Sequence, residues 1–336
     1  MVTQAQIARK LGVSRQLVTF ALSGYPQISQ ESRERILAAA EEMGYRPNPY
    51  ARALRKGRSG IIGLWIPDQI STHYTHVARE LNRLVKAAKH ELIVSEVSIA
   101  KDQQMLSHVP MDGIIVVDAP DQASLYRKTP QALRVPIVSM GVNCIENADA
   151  VQIDLLAGTL EVMKHLISSG FRRIAHATFV QKNFPGAARR MGYVQAMREA
   201  KLKPEFIYYP LTEEQRPITR KLIQDYIRDN GKPDAIFCHS DDVAIGIYRG
   251  LCDMKLRVPD DIALVGCDGI QDTEYLECPL TTLVQPVASM CAAGWQFLVE
   301  RIEESDTKPQ KVVLKPSLVI RDSSHRNASV ESPSRS

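Results

Sequence analysis

A chain of 336 residues is too long for one ordinary hydrophobic core and long enough for two or three compact units. No apolar run approaches the roughly 20 residues needed to span a bilayer, and the opening MVTQAQIARK lacks the apolar stretch of a secretory signal, so a cytoplasmic protein is expected. Its net charge of +4 is unevenly spread: residues 1–60 carry ten Lys and Arg against four Glu, whereas the remainder has 32 basic against 34 acidic side chains. A basic head on a near-neutral body is the electrostatic footprint of a nucleic-acid-binding module joined to a domain with another task. The six cysteines, Cys144, Cys238, Cys252, Cys267, Cys278 and Cys291, form no CxxC pair or Cys/His spacing suited to zinc. They read as free thiols, and no metal or cofactor is expected.

Thr3 followed by Gln6 has capping-box spacing, and Ile7, Ala8 and Leu11 give the apolar face of a short helix that Gly12 breaks. Ser14 then caps a second helix over Arg15 to Leu22, with Val18, Ala21 and Leu22 on one side and Arg15, Gln16, Thr19 and Phe20 elsewhere. Ala8 lets the helices approach, Gly12 permits the turn, and Val18 fills the angle between them. A third helix from about Gln30 to Met43, capped by Ser29, offers Ile36, Leu37, Ala40 and Met43 to complete the core. In such a helix-turn-helix the second helix enters the major groove, where Arg15 suits guanine and Gln16 adenine by paired hydrogen bonds. Phe20 cannot donate, and is expected on a thymine methyl or against the DNA backbone.

Pro47 and Pro49 close this unit, and Tyr50 to Gly57 follow as a basic stretch that spans at most two helical turns. That is too short for a stable isolated helix, so it is expected to order on DNA, with Leu54 as a minor-groove wedge and Arg52, Arg55 and Lys56 near phosphates. The expected DNA contacts are thus Thr3, Ser14, Arg15, Gln16, Thr19 and Phe20 in the head, and Asn48, Arg52 and Leu54 in this hinge.

From residue 60 short β-branched runs alternate with amphipathic stretches. Strands are expected at Ile61 to Ile66, Leu92 to Val97, Gly113 to Val117, Ile137 to Met140, Ile174 to Ala177, Ala235 to Cys238 and Ile262 to Cys267. Helices are expected at Val77 to Lys89, Leu155 to Ser168, Arg190 to Ala200, Pro217 to Arg228 and Val243 to Met254. Such alternation argues for parallel sheets covered on both faces, with ligands at the carboxyl ends of the strands. The expected fold is an all-α helix-turn-helix head (1–45), a hinge (46–59), an α/β body of two Rossmann-like lobes (60–322) and a polar, disordered tail (323–336).

The segments IARKLGVSRQLVTFALSG, YRPNPYARALRKGRSGIIGLWIPD, FRRIAHATF, AARRMGY, HSDDVAIG, VPDDIALVGCDG, PLTTLVQP and LVIRDSS, in this order over residues 2–324, resemble the LacI/GalR family of transcription regulators. The resemblance implies a body of periplasmic-binding-protein type, a homodimer, and a pseudopalindromic double-stranded operator with each protomer reading one half. It implies an effector site in the interlobe cleft: Arg189, three before Gly192-Tyr193, grips the ligand, and Asp268 in GCDG closes the cleft on it. Ser240, Tyr74 and Asn183 line the same space. These types suit a polyhydroxylated ligand: a fork of donors, an anionic acceptor, a hydroxyl and an aromatic face. Alternatives stand beside them. Ser240 and Asp241 precede a helix and can cap it, Tyr74 can be ordinary surface, and either Arg189 or Arg190 can face the cleft. Gly141 stands where some family members carry an acidic ligand contact, and Thr19-Phe20-Ala21 replaces the common SRV.

The expected function is a repressor of a carbohydrate-utilisation operon, with a nucleoside- or purine-responsive regulator as the alternative. An α/β enzyme is the rival from another class, with a magnesium site on Asp241, Asp242 and Asp268. Yet the chain has no strand-linked GxGxxG, no GxxxxGK[ST] and no Gly-x-Ser-x-Gly elbow, and consecutive His239-Ser240-Asp241 diverge where a triad must converge. No catalytic residue is assigned. A sugar-transport receptor would share the body but needs export.

Overall fold

A computed structural model describes residues 2–45, 58–67, 71–97, 109–128, 135–179, 188–210, 214–304 and 308–325. The chain divides into two compact units, Met1–Ser59 and Gly60–Ser336. The expected contacts Asn48, Arg52, Leu54 and Asn183, and with them the hinge helix, lie outside the described residues.

The first unit holds α1 (Gln4–Leu11), α2 (Arg15–Leu22) and α3 (Gln30–Glu42). Thr3 and Gln6 form the reciprocal capping box, while Ser14 and Ser29 accept from the backbone N–H three residues on. Ile7, Ala8, Val18, Ala21, Ile36, Ala39 and Ala40 make the core. Leu37, expected inside, is 44% exposed, and the inward position is Ala39 instead. Ile36, Ala39 and Ala40 lie at i, i+3 and i+4 on one face, and Leu37 falls off it.

Gly12 ends α1 with φ 66°, and a Cβ there would meet nothing within 4 Å. A side chain at this position therefore pays only the left-handed backbone term, so Gly12→Ala is expected to cost the head about 1–2 kcal/mol. Hydrogen exchange of the α1 and α2 amides in the intact protein checks this. Unchanged protection would show that the turn tolerates another conformation.

In the second unit, two six-stranded sheets each carry helices. The first lobe has β1 (Ile61–Ile66), β2 (Glu91–Glu96), β3 (Gly113–Val117), β4 (Ile137–Gly141), β5 (Asp149–Ile153) and β11 (Lys311–Leu314). All pair in parallel in the order β11-β5-β4-β3-β1-β2. The second lobe has β6 (Ile174–Phe179), β7 (Glu205–Tyr209), β8 (Ala235–Cys238), β9 (Ala263–Asp268), β10 (Thr281–Val284) and β12 (Ser317–Val319). Their order is β12-β10-β9-β8-β6-β7, with β12 antiparallel. Helices α4 (Thr72–Ala87), α5 (Pro120–Tyr126) and α10 (Val287–Glu303) cover the first sheet, and α6 (Leu155–Ser168), α7 (Ala188–Glu199), α8 (Gln215–Asn230) and α9 (Asp241–Asp253) cover the second. The chain passes between lobes after β5, after β10 and again between β11 and β12. Three adjacent crossings restrict the lobes to bending about one line, the geometry of hinge closure.

The central strands β3, β8 and β9 are buried throughout, as expected for parallel strands covered on both faces. The seven expected strands are present, and β5, β7, β10, β11 and β12 are added. The expected tail loses its first residues to the body: Ser323 and Ser324 are fully buried. Ser323 Oγ donates to the Leu264 carbonyl at 2.6 Å and accepts from Thr281 N–H at 2.8 Å. Ser324 Oγ bonds Thr281 Oγ1 at 2.7 Å and His165 Nε2 at 2.8 Å. A serine-rich stretch reads as solvated unless backbone groups are waiting for its hydroxyls, which only the folded sheet supplies.

Candidate functional site

The polar face of the head is the first turn of α2. Arg15 and Gln16 are exposed there. Ser14 Oγ is held by Leu17 N–H at 3.1 Å, and Thr3 Oγ1 by Gln6 N–H at 3.4 Å, so both hydroxyls act as caps. Thr19 Oγ1 donates to Gln4 Oε1 at 2.8 Å, and Gln4 Nε2 donates to the Tyr45 hydroxyl at 3.0 Å. Thr19 therefore braces α2 against α1. Phe20 is half-buried, its ring 4.9 Å from that of Tyr25, which is 48% exposed. The two rings form one apolar ledge beside the basic turn.

In the body, side chains from the carboxyl ends of both sheets converge between the lobes, as in open α/β sheets generally. Arg189, in the first turn of α7, makes three contacts of 3.3 Å: Nε to Cys267 Sγ, one terminal nitrogen to His239 Nε2, and the other to Asp268 Oδ1. Its side chain is 13% exposed and that of Asp268 7%. Arg190 faces away, its guanidinium 4.7 Å from the Phe206 ring centroid. Of the adjacent arginines, Arg189 is the one in the cleft.

Asp268 ends β9 with φ 123°, a conformation that costs a non-glycine residue about 1–3 kcal/mol. Its neighbours hold it there. Asp241 Oδ2 accepts Gly269 N–H at 2.7 Å and Ile270 N–H at 2.9 Å, and its Oδ1 accepts the Thr282 hydroxyl at 2.7 Å. Asp241 is thus no helix cap; that task falls to Ser240, whose Oγ accepts Val243 N–H at 3.3 Å. Gln285 Nε2 donates to Asp268 Oδ1 at 2.7 Å. Burial raises both the Asp241 and the Asp268 carboxyl above the usual carboxylate range, the latter restrained by Arg189.

The first lobe contributes Tyr74, half-buried on α4, and Asp118, just past β3, neither of them plain surface. The Tyr74 hydroxyl donates to Asp118 Oδ2 at 3.4 Å, while Asp118 Oδ1 accepts Val142 N–H at 2.7 Å and Asn143 N–H at 3.1 Å. The charge of Asp118 acts on both Asp268 and Arg189. Burial drives His73 down to about 4, and His239 well below the usual imidazole range, so both are neutral near pH 7.

Beside the cleft the lobes are bridged. Asp242 accepts Thr72 N–H at 3.2 Å, the Thr72 hydroxyl at 3.1 Å and Arg216 Nε at 2.8 Å, and Arg216 also donates to Asp272 at 2.8 Å. Asp241, Asp242 and Asp268, the magnesium set of the enzyme alternative, therefore answer to different partners: a backbone turn, an interlobe bridge and an arginine. Asp118, His73, Gln285 and the bridging role of Asp242 with Thr72 and Arg216 are not among the residues expected from sequence, where His239 enters only as a rejected triad member. An acid directly after the buried run GIIVV was the legible signal for Asp118.

A three-helix head with an exposed basic turn, joined to a two-lobed body enclosing a polar cleft, is the build of a ligand-responsive DNA-binding regulator. Residues 4–48 match the bacterial regulatory proteins of the lacI family, and residues 163–324 match the periplasmic binding protein-like domain. The ribose operon repressor of Haemophilus influenzae is 28% identical over 333 residues, covering 96% of this chain and 98% of that protein. The repressor PurR of Klebsiella pneumoniae is 26% identical, covering 96% and 97%. Among solved structures, the regulator CelR in complex with cellobiose superposes with TM-score 0.67 at 25% identity, over 96% of this chain and 100% of that one. The lac repressor dimer bound to operator and an anti-inducer superposes with TM-score 0.80 at 21% identity, over 96% and 99%, a likeness of fold. The chain thus joins a DNA-binding domain of the lacI family of bacterial regulatory proteins to a periplasmic-binding-protein-like domain, and it is a DNA-binding transcription regulator, not an enzyme.

Proposed function

We propose that this regulator represses a carbohydrate-utilisation operon and is controlled by a sugar bound between Tyr74 and Asp118 on one lobe and Arg189 and Asp268 on the other. In this reading Asn183 also contacts the sugar and Ser240 borders it. The Arg189–Asp268 pair carries the proposal: a guanidinium and a carboxylate that meet at 3.3 Å in a buried cleft offer a donor fork and an anionic acceptor to vicinal hydroxyls. A homodimer presents two heads to a pseudopalindromic operator, with Arg15, Gln16 and Phe20 reading each half-site and Asn48, Arg52 and Leu54 acting at its centre. No helix among the described residues is long and apolar enough to cross a membrane, and the proposed site of action is the cytoplasm. A ligand that prefers one lobe geometry shifts operator affinity by its differential affinity for the two states.

Thermal-shift screening of the intact protein against sugars, sugar phosphates, nucleosides and purines tests the effector class, since tight binding raises the midpoint by mass action. A sugar hit that disappears in Arg189→Ala is the expected result; a purine hit alone favours the second regulator reading. The pH dependence has a definite sign. Burial raises the Asp268 carboxyl above the usual carboxylate range, so as pH falls it gains its proton, and stops acting as an ionised acceptor, sooner than an ordinary aspartate. Sugar affinity is therefore expected to weaken as pH falls from 7.5 to 5, measured by titration calorimetry with circular dichroism as the folding control. Affinity unchanged across that range would remove Asp268 from the ligand contacts.

A further inference from the structure

Among the described residues the cleft is short of donors rather than of acceptors. Asp268 Oδ1 takes the bonds from Arg189 and Gln285, and its Oδ2 accepts none from the described residues. Gln285 is 5% exposed, and with its Nε2 committed to Asp268 its Oε1 is buried without a partner. Across the cleft, Asp118 Oδ2 receives only the long 3.4 Å bond from Tyr74 among the described residues. Among the described residues one permanent cation stands against these acceptors, Arg189, whose three nitrogens already face Cys267, His239 and Asp268. Another donor among them is His239: its Nε2 faces a guanidinium and must accept, which leaves the proton on Nδ1, buried and unpartnered.

Asp118 is itself built into place. Its φ of 49° is the left-handed region, and two backbone N–H groups hold its Oδ1. Its carboxylate fills the space beside Gly141, where a Cβ would lie 2.5 Å from Asp118 Oδ1. The glycine at the end of β4 is thus the room that admits an acid from β3.

Resting on the sugar reading above, we infer that Asp118 is a specificity-determining residue: with Asp268 and Gln285 it makes the cleft select polyols without a phosphate or carboxylate group. A sugar hydroxyl, or an amine in its place, donates to Asp118 Oδ2, Asp268 Oδ2 or Gln285 Oε1, and at Gln285 Oε1 it satisfies a buried acceptor that has no other partner. A phosphate dianion brings acceptors only. It adds to two opposed carboxylates in a low-dielectric space, where like charges repel strongly. Asp241 and Asp242 do not alter the balance, the first being enclosed by its three donors and the second bound to Arg216.

The test is calorimetric titration of the intact protein at pH 7.5 with ribose, glucose, cellobiose and glucosamine, and with ribose 5-phosphate, glucose 6-phosphate and glucuronate. At least one uncharged or amine-bearing sugar is expected to bind, at least tenfold more tightly than its phosphorylated or acidic counterpart. In Asp118→Asn the amide oxygen can still accept Val142 and Asn143 N–H, so the loop is kept while the charge is removed. The gap is expected to narrow at least threefold in this variant. A phosphorylated or acidic sugar binding as tightly as its parent in the unaltered protein overturns the charge selection and leaves the sugar reading intact. A gap that Asp118→Asn leaves unchanged removes Asp118 from the selection. If no member of the panel binds, the sugar reading falls and this inference with it.

Discussion

Asp268→Asn is expected to destabilise the body more than Arg189→Met, although the two substitutions break the same ion pair. Both side chains are mostly buried, and removing one partner of a buried pair costs about 3–5 kcal/mol when the other charge has no escape. Arginine has none, because its guanidinium does not deprotonate in proteins. In Asp268→Asn it remains charged beside the Cys267 thiol, pushed up to about 12 by burial, and the neutral His239 ring. The carboxylate does have an escape. Burial already raises its carboxyl above the usual carboxylate range, so in Arg189→Met a further rise neutralises it at a cost of about 1.4 kcal/mol per pH unit. Urea unfolding of the two variants at pH 7 reads the difference directly. Equal losses, or a larger loss in Arg189→Met, would mean that solvent reaches the guanidinium and that the pair is not the sealed centre of the cleft.

The second large effect joins helix packing to lobe closure. Helices α8 and α9 approach so closely that a Cβ at Gly246 would lie 2.5 Å from the Arg216 carbonyl oxygen and inside the contact radius of the Thr219 hydroxyl. Gly250, one turn on, meets the Arg220 carbonyl in the same way. Gly246→Ala must therefore push the start of α8 outward, and overpacking of this kind costs about 1–3 kcal/mol. The displaced turn carries Arg216, which joins Asp242 and Asp272 and touches Thr72 of the other lobe at 3.3 Å. Gly246→Ala is thus expected to lose both stability and closure. Arg216→Ala should lose closure with a much smaller stability penalty, since its guanidinium is 40% exposed and an exposed pair contributes roughly 0–1 kcal/mol. Small-angle scattering with and without effector, beside urea midpoints, separates the two. If Arg216→Ala leaves the scattering profile and effector affinity unchanged, the bridge does not govern closure.

The two arms of the acid response oppose one another. Buried His73 and His176, both pushed down to about 4, bind protons only when unfolded, so their stability is present above about 6.5 and lost as pH falls towards 4. Asp241 and Asp268 are raised by burial, and in the folded state the pair takes up protons over a window above the usual carboxylate range. Their contribution is favourable on the acid side and fades above that window, which partly offsets the histidines.

Features fixed by local chemistry are legible before the chain folds. The capping box of Thr3 and Gln6, the left-handed Gly12, and the Ala8 and Val18 contacts of the head depend on neighbours within a few turns, and they read correctly from spacing. So did the buried parallel strands, whose apolar runs need no partner to be recognised. Family resemblance placed Arg189 and Asp268, which the fold then brought together from positions 79 residues apart. Tertiary structure alone decided the rest. Leu37 and Ala39 are both apolar, and only the direction of α3 chose between them. The short strands β10 and β12 and the buried serines after Asp322 exist because an open sheet edge had unpaired backbone groups to satisfy. Asp118 is marked in the sequence by the buried run before it, but its task is no more legible there than those of Asp241 and Asp242: each is an acid near the start of a helix. One faces the cleft, one holds a strained turn and one ties the lobes together, because a carboxylate's task is set by the donors that reach it, and those donors come from elsewhere in the chain.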